Sequence, residues 1–145
     1  MTDASSPPLT VTRLRVDDLD ERFQRLRADL GVTAFGLNLL CLEPGQRGRI
    51  HRHRRQEEVY VVLAGELTLV VEARPQRLAR WEAVRVPADV RRQLVNRGPG
   101  RLVLLAVGGA EPHEGRDGLA YASWEDTEGR PPQEVPLPAE LPPNG

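Results

Sequence analysis

The chain has 145 residues, a length that suits one domain with a single hydrophobic core. Its formal net charge is −1, which offers no global electrostatic argument for binding nucleic acid or a membrane surface. A single cysteine, Cys41, excludes an intrachain disulfide framework and suits a reducing compartment. No apolar run reaches the length of a membrane span and no signal segment is evident, so we expect a cytoplasmic protein.

The N-terminal residues predict an arm, a strand and a helix. Residues 1–8 are small, polar and proline-rich, which indicates a flexible arm. Residues 9–16 alternate in the manner of a short strand. Residues 17–31 predict a helix, because Asp17 or Asp18 can cap it, an apolar stripe follows at helical spacing, and Gly31 can end it.

From residue 32 onward the pattern changes to short strands separated by turns. Many short strands at roughly ten-residue spacing indicate an all-β sandwich or barrel. The predicted strands cover residues 32–42, 49–53, 58–63, 67–72, 76–78, 83–86, 91–96 and 101–107.

Two stretches within these strands, residues 59–63 and 102–107, are apolar on both faces and need cover on both sides. The N-terminal strand and helix can supply that cover within one chain. A partner subunit that packs sheet on sheet is the alternative, and we favour a homodimer.

The strand pattern ends after residue 109, so we expect one domain over residues 9–110 and a C-terminal extension over residues 111–145. One short ordered piece is expected within residues 115–128, around its aromatic side chains. From about residue 130, repeated prolines predict a tail that is ordered only if it lies along the barrel.

Two histidines one residue apart, His51 and His53, form the most informative pattern in the chain. Side chains alternate along extended backbone, so both imidazoles lie on the same face. Two acidic residues, Glu57 and Glu58, follow at the start of an apolar strand. Two imidazoles and one carboxylate can form a first-row metal site with open coordination positions.

The same stretch resembles the first signature motif of the cupins, Gly-x5-His-x-His-x4-Glu-x6-Gly. Gly45, His51, His53, Glu58 and Gly65 occupy its defined positions. The resemblance covers about residues 33–108. It implies an all-β, cupin-type double-stranded β-helix (a jelly-roll barrel), here with one short N-terminal helix, and it favours Glu58 over Glu57 as the third metal ligand.

The second cupin motif, roughly Gly-x5-Pro-x-Gly-x2-His-x3-Asn, is matched only in part. Pro87 and Asn96 fit it, whereas Trp81 and Asp89 stand where the family has glycines. Arg92 stands where the family has its third histidine. A guanidinium stays protonated and offers no lone pair, so Arg92 cannot be a metal ligand, and its charge opposes cation binding.

Three consequences of Arg92 are open. In the first, the triad of His51, His53 and Glu58 still holds a divalent metal, with Fe(II) favoured and Mn, Ni or Zn as alternatives, and Arg92 binds a substrate carboxylate or phosphate in bidentate fashion. In the second, the site has decayed and binds an anionic ligand without metal. In the third, Arg92 turns outward and forms a surface salt bridge.

Neighbouring residues complete the predicted pocket. Arginines between residues 47 and 55 make its mouth basic and suit a small acid, and interleaved aromatics for nucleic acid are missing. Arg49 and Gln93 join Arg92 as predicted substrate-binding residues, and Tyr60, on the same face as Glu58, is the predicted catalytic residue for proton transfer.

Two further side chains have competing interpretations. His113 follows the last predicted strand, where a surface-loop histidine is commoner than a replacement metal ligand. Cys41 lies on an apolar strand, where a small buried hydrophobe is the default.

Two functions follow from this pattern. The first is a metal-dependent enzyme acting on a small anionic metabolite, with dioxygenase-like chemistry leading and isomerase or lyase chemistry close behind. The second is a metal-free cupin that senses or carries a small acid. Both assume a small-molecule partner and neither nucleic acid nor membrane.

Overall fold

The computed structural model describes residues 8–17, 22–110 and 116–142. Within them, every strand pairing is antiparallel, and the strands form two five-stranded sheets. The strands are β1 (Phe23–Gln24), β2 (Gly36–Leu42), β3 (Ile50–His53), β4 (Glu57–Ala64), β5 (Leu67–Val71), β6 (Arg74–Leu78), β7 (Ala83–Val86), β8 (Arg92–Val95), β9 (Leu102–Gly109) and β10 (Gly118–Tyr121). One helix, α1 (Leu26–Leu30), and a 3-10 helix over Pro132–Glu134 complete them.

The two sheets enclose one apolar core. The first sheet has the order β1-β2-β9-β4-β7 and the second the order β10-β3-β8-β5-β6. Inward residues of both sheets, such as Val62 and Leu104 from the first and Leu69 and Leu94 from the second, belong to the same buried cluster. The predicted jelly-roll barrel is therefore confirmed, with the period-two alternation of its strands separating core from surface.

The strands predicted after residue 32 are all present, with ends shifted by up to four residues. Strand β10 was not predicted as a strand. It pairs along β3, so that part of the chain after residue 110 belongs to the second sheet.

The prediction of an N-terminal strand over residues 9–16 is wrong. That segment pairs with no strand, and its backbone is instead held by the side chain of Gln24. The amide oxygen of Gln24 accepts from the N–H of Arg15, and its Nε2 donates to the carbonyl of Arg13. A buried side-chain amide thus takes the place of a neighbouring strand.

The predicted helix over residues 17–31 is much shorter in the structure. Residues 23–24 form β1 against β2, so only Leu26–Leu30 is helical. Gly31 ends the helix in the left-handed conformation, as predicted. The predicted cap Asp18 lies outside the described residues, as do residues 1–7 of the N-terminal arm, and Asp17 binds Arg101 instead.

Helix α1 covers part of the outer face of the first sheet. Leu26 packs there with Leu39, Cys41 and Val103. Cys41 is buried in this cluster, which confirms the interpretation as a small hydrophobe. Homodimerisation, predicted as further cover for the sheets, stays a prediction.

The proline-rich C-terminal segment lies along the second sheet. The Nε groups of Arg49 and Arg47 donate to the carbonyls of Val135 and Ala139, at 2.6 and 3.0 Å. The N–H of Leu141 donates to the carbonyl of Gly45.

Among the described residues, no helix is long and apolar enough to cross a membrane.

We expect Gly65→Ala to lower the free energy of unfolding by about 2–4 kcal/mol. Gly65 has a φ of +76°, and a Cβ there would clash with the carbonyl oxygen of Arg101, which is backbone and cannot rotate away. Gly31→Ala is the matched control, because Gly31 has a φ of +74° but open space around it, so we expect a cost of only about 1 kcal/mol. Urea denaturation measures both, and equal losses would contradict the steric argument.

Candidate metal centre

The predicted metal ligands come together between the two sheets. Strand β3 brings His51 and His53, and β4 of the other sheet brings Glu58. Each of the three offers one ligand atom, and these atoms lie within 4.8 Å of one another. Strand β8 places Arg92 opposite His51 in the ladder, so Arg92 faces the same centre.

One oxygen atom, Oε1 of Glu58, is the shared acceptor of this centre. Nε2 of His53 lies 3.0 Å from it and Nε2 of His51 lies 3.5 Å from it. The hydroxyl of Tyr60 and Nη2 of Arg92 both donate to it at 2.7 Å. The other carboxylate oxygen, Oε2, has no hydrogen-bond partner among the described residues.

These contacts keep Glu58 ionised and Tyr60 protonated. Burial by itself raises the pKa of Glu58, but the hydrogen bonds and charges of His51 and His53 outweigh it, so this pKa lies well below its usual range. Burial, followed by the neighbouring charge of Glu58, raises the pKa of Tyr60 well above its usual value. The phenol therefore stays a hydrogen-bond donor.

Each imidazole is held at Nδ1 by a hydrogen-bond acceptor. Nδ1 of His53 lies 2.7 Å from Oδ1 of Asp117, and Nδ1 of His51 lies 3.1 Å from the carbonyl oxygen of Arg49. An ionised carboxylate and a carbonyl can only accept, so these partners favour a proton on each Nδ1, and in the metal-free centre a protonated imidazole also donates from Nε2 to Glu58. A metal ion would take the place of the Nε2 proton while the hydrogen bonds at Nδ1 remain, which is the orientation that metal ligation requires. The donor set therefore fits a metal ion.

Arg92 is fully buried beside the centre, which overturns the interpretation that it turns outward. Nη1 donates to the carbonyls of residues 87, 88 and 90, at 3.4, 3.2 and 2.7 Å. Nε donates to the hydroxyl of Tyr60 at 3.2 Å. The guanidinium is thus a fixed internal cation, anchored by backbone and paired with Glu58.

The other predicted substrate residues lie elsewhere. Gln93 follows Arg92 on β8 and therefore points to the opposite face of the sheet. Its Nε2 donates to the carbonyl of Gly48. Arg49 and Gln93 line a cleft of about 320 Å³ under the C-terminal segment, together with Trp124 and Tyr121. The structure does not bring these two residues to Glu58.

Three remaining side chains complete the comparison with the sequence. Glu57 points away from the centre and pairs with Arg85 at 2.7 Å. His113 lies outside the described residues. Asp117 was missed, because its only sequence signal is an Asp-Gly pair before a short apolar run, and nothing in that pattern indicates contact with His53.

Comparison with known proteins identifies this architecture. A sequence profile described as "Cupin domain" matches residues 38–108. A sugar phosphate isomerase of a cupin superfamily from Silicibacter pomeroyi is 28% identical with a TM-score of 0.61, over 81% of this chain and 80% of that one. A cupin protein from Bacteroides fragilis has a TM-score of 0.58 at 17% identity, over 67% of this chain and 83% of that one.

A third solved structure is a candidate sugar phosphate isomerase from Acidithiobacillus ferrooxidans. It is 30% identical with a TM-score of 0.55, and the alignment covers 59% of this chain. The chain spans only 56% of the length of that relative. Among curated proteins, none matches the chain.

We expect the metal-free protein to be most stable between about pH 4.5 and 6.5. Glu58 and Asp117 have lowered pKa values in the folded state, so their contribution is complete above their unfolded values and is lost as the pH falls through the folded ones. His53 has a raised pKa despite the opposing effect of burial, so its contribution is complete below about pH 6.5 and is lost as the pH rises through the folded value.

Urea denaturation in the presence of EDTA across this pH range measures the free energy of unfolding. His53→Gln should remove the alkaline decline and keep the acidic one. A free energy that is the same at about pH 5.5 and pH 9 in the unmodified chain would contradict the role of His53.

Proposed function

Because the chain carries a small cupin domain, we propose that it is a mononuclear-metal enzyme that acts on a small anionic metabolite. The observation that carries this proposal is the convergence of His51, His53 and Glu58 within 4.8 Å, with both imidazoles held at Nδ1. Isomerisation of a sugar phosphate is the proposed reaction, and the names of the relatives from Silicibacter and Acidithiobacillus support that choice.

The metal supplies Lewis-acid chemistry when bound, polarising a carbonyl so that the neighbouring C–H bond becomes acidic. The chain contributes two imidazoles and one carboxylate, which leave coordination positions for substrate oxygens. Fe(II), Mn, Ni and Zn all suit this donor set. The same donor set also suits oxygen-dependent chemistry on Fe(II), which is the alternative reaction.

Tyr60 has a proton-holding role in this proposal. Its hydroxyl donates to Oε1 of Glu58 and accepts from Nε of Arg92, so its proton is directed at the carboxylate. Because Tyr60 is only 1% exposed, its hydroxyl acts on a substrate only through Glu58. The raised pKa keeps the phenol protonated, so Tyr60 is a hydrogen-bond donor to Glu58 and not a base.

Arg92 acts through its charge in this proposal. The guanidinium is not exposed to solvent, and its Nη1 group donates to three backbone carbonyls. It therefore has no pair of available N–H groups for the bidentate binding of a substrate acid that the sequence suggested. A fixed positive charge next to the centre still favours anionic substrates and developing negative charge.

A second candidate function rests on the same residue. Nη2 of Arg92 lies 2.7 Å from Oε1 of Glu58, where it neutralises the carboxylate without any metal. That pairing favours a metal-free cupin that binds a small acid. Sensitivity of ligand stabilisation to a chelator separates the two functions, because only the first depends on metal.

We expect Glu58→Gln to lower the metal content of the purified protein at least about tenfold, since it removes the only charged ligand. The chain offers a matched control at the next position. Glu57→Gln makes the same chemical change on an exposed side chain that pairs with Arg85, and it should leave the metal content unchanged.

Elemental analysis after reconstitution with Fe(II), Mn, Ni and Zn measures both variants beside the unmodified chain. Assay of aldose–ketose interconversion on phosphorylated sugars, with and without EDTA, follows. An unmodified chain that is folded and still free of metal would remove the enzyme proposal and leave the acid-binding one.

We expect Arg92→His to raise metal affinity at least about tenfold, because it removes a positive charge near the ion and adds a neutral ligand. Arg91→His is the control, since Arg91 pairs with Glu72 on the outside of the barrel. Thermal melting establishes that each variant is folded before metal affinity is measured by chelator competition. Unchanged affinity in folded Arg92→His would contradict the view that Arg92 stands in a ligand position.

A further inference from the structure

The buried carboxylate of Asp117 touches the metal centre from a part of the chain outside residues 38–108, the range that matches the cupin domain. Its side chain is 4% exposed, and it lies next to Gly118, which pairs with His53 in the β10–β3 ladder. Strand β10 therefore does more than close the second sheet, because it delivers a charged group directly behind a proposed ligand.

The two oxygens of Asp117 have different partners. Oδ2 accepts from the backbone N–H groups of Arg55 and Gln56, at 2.9 and 2.8 Å. Oδ1 accepts from Nδ1 of His53 at 2.7 Å and from Nε2 of Gln56 at 2.9 Å. The carboxylate thus fastens the turn between β3 and β4 with one oxygen and orients the imidazole with the other.

The tautomer of neutral His53 depends on which of two carboxylates, Asp117 or Glu58, accepts the hydrogen bond from its single N–H group. Asp117 lies 2.7 Å from Nδ1, and Glu58 lies 3.0 Å from Nε2. Oε1 of Glu58 already accepts short hydrogen bonds from Tyr60 and Arg92, whereas Oδ1 of Asp117 accepts, besides His53, only from Gln56 among the described residues. Geometry therefore favours the proton on Nδ1.

We propose that Asp117 is a positioning residue that holds His53 in the Nδ1–H tautomer, so that Nε2 is free to bind the metal. This inference rests on the proposed function for its metal half, and it names a group that neither cupin motif includes. Carboxylates behind ligating histidines contribute typically 10–100-fold to metal affinity in other sites.

Asp117→Asn is a sharp test because the amide has one acceptor and one donor. Its oxygen is required by the backbone N–H groups of Arg55 and Gln56, so the NH2 group would face Nδ1 of His53, and the side-chain amide of Gln56 would turn to present its oxygen to the same NH2 group. Nδ1 then becomes the acceptor and the proton moves to Nε2, toward Glu58. The turn keeps its backbone hydrogen bonds while the ligand atom is blocked.

The first readout is the ¹⁵N NMR spectrum of the metal-free protein with labelled histidine, recorded at an alkaline pH above the titration of the imidazole. We expect the Nδ1–H tautomer of His53 in the unmodified chain and the Nε2–H tautomer in Asp117→Asn. The second readout is Zn²⁺ affinity by chelator competition, for which we expect a loss of about 10–100-fold in the variant.

Asp126→Asn is the matched control in the same segment. Its carboxylate also accepts two backbone N–H groups, from Ala122 and Glu128, but its side chain is not among the partners of either histidine. It should change neither the tautomer nor the Zn²⁺ affinity. A merely structural role for Asp117 would lower the melting temperature and leave the tautomer of His53 as it was.

The outcomes separate this inference from the proposed function. An Nε2–H tautomer in the unmodified chain, or Zn²⁺ binding of equal strength in both chains, overturns the inference while the metal function stands. An unmodified chain that binds no Zn²⁺ overturns the proposed function and the statement that Nε2 of His53 binds a metal. The NMR measurement then still tests whether Asp117 sets the tautomer of His53. If Asp117→Asn does not fold, the tautomer of the unmodified chain decides.

Discussion

The hydrogen bonds that converge on Oε1 of Glu58 join the two sheets of the barrel. Glu58 belongs to one sheet, whereas His51, His53 and Arg92 belong to the other, so this single carboxylate connects strands that share no ladder. A buried charge of this kind is stable only when it is paired and accepts hydrogen bonds. The positions of the surrounding side chains are therefore set by the need to satisfy it, as much as by metal chemistry.

The apolar core next to Glu58 fixes the position of the charged centre. The core cluster beneath it is apolar in both sheets, and the wall between core and centre is Tyr60, whose ring is buried while its hydroxyl reaches Glu58. Amphipathic side chains serve this purpose well, since one end is apolar and the other polar. Strand β4 thus contributes Glu58 to the charged centre and, two residues later, Tyr60 to the core.

Sequence alone predicted the barrel and the convergence of His51, His53 and Glu58, because strand alternation and motif spacing are local properties. It failed where a partner distant in sequence decides the outcome. Residues 9–16 alternate like a strand but meet the side chain of Gln24, and Gln93 adjoins Arg92 yet faces the other side of the sheet. Asp117 is the clearest case, since only the β10–β3 pairing brings it to His53.

Arg92 would change the electrostatic environment of a metal ion at this centre, but it would not prevent the ion from binding. Its Nη1 group is anchored to backbone carbonyls, so it can stay in place while Oε2 of Glu58, which has no hydrogen-bond partner among the described residues, turns to an ion. A third histidine would add no charge, whereas Arg92 adds one positive charge. Glu58 and Arg92 cancel, so a divalent ion would leave the centre with a charge of about +2 instead of +1. Such a centre would bind its metal less tightly and attract an anionic substrate more strongly, which agrees with the proposal of a phosphorylated substrate.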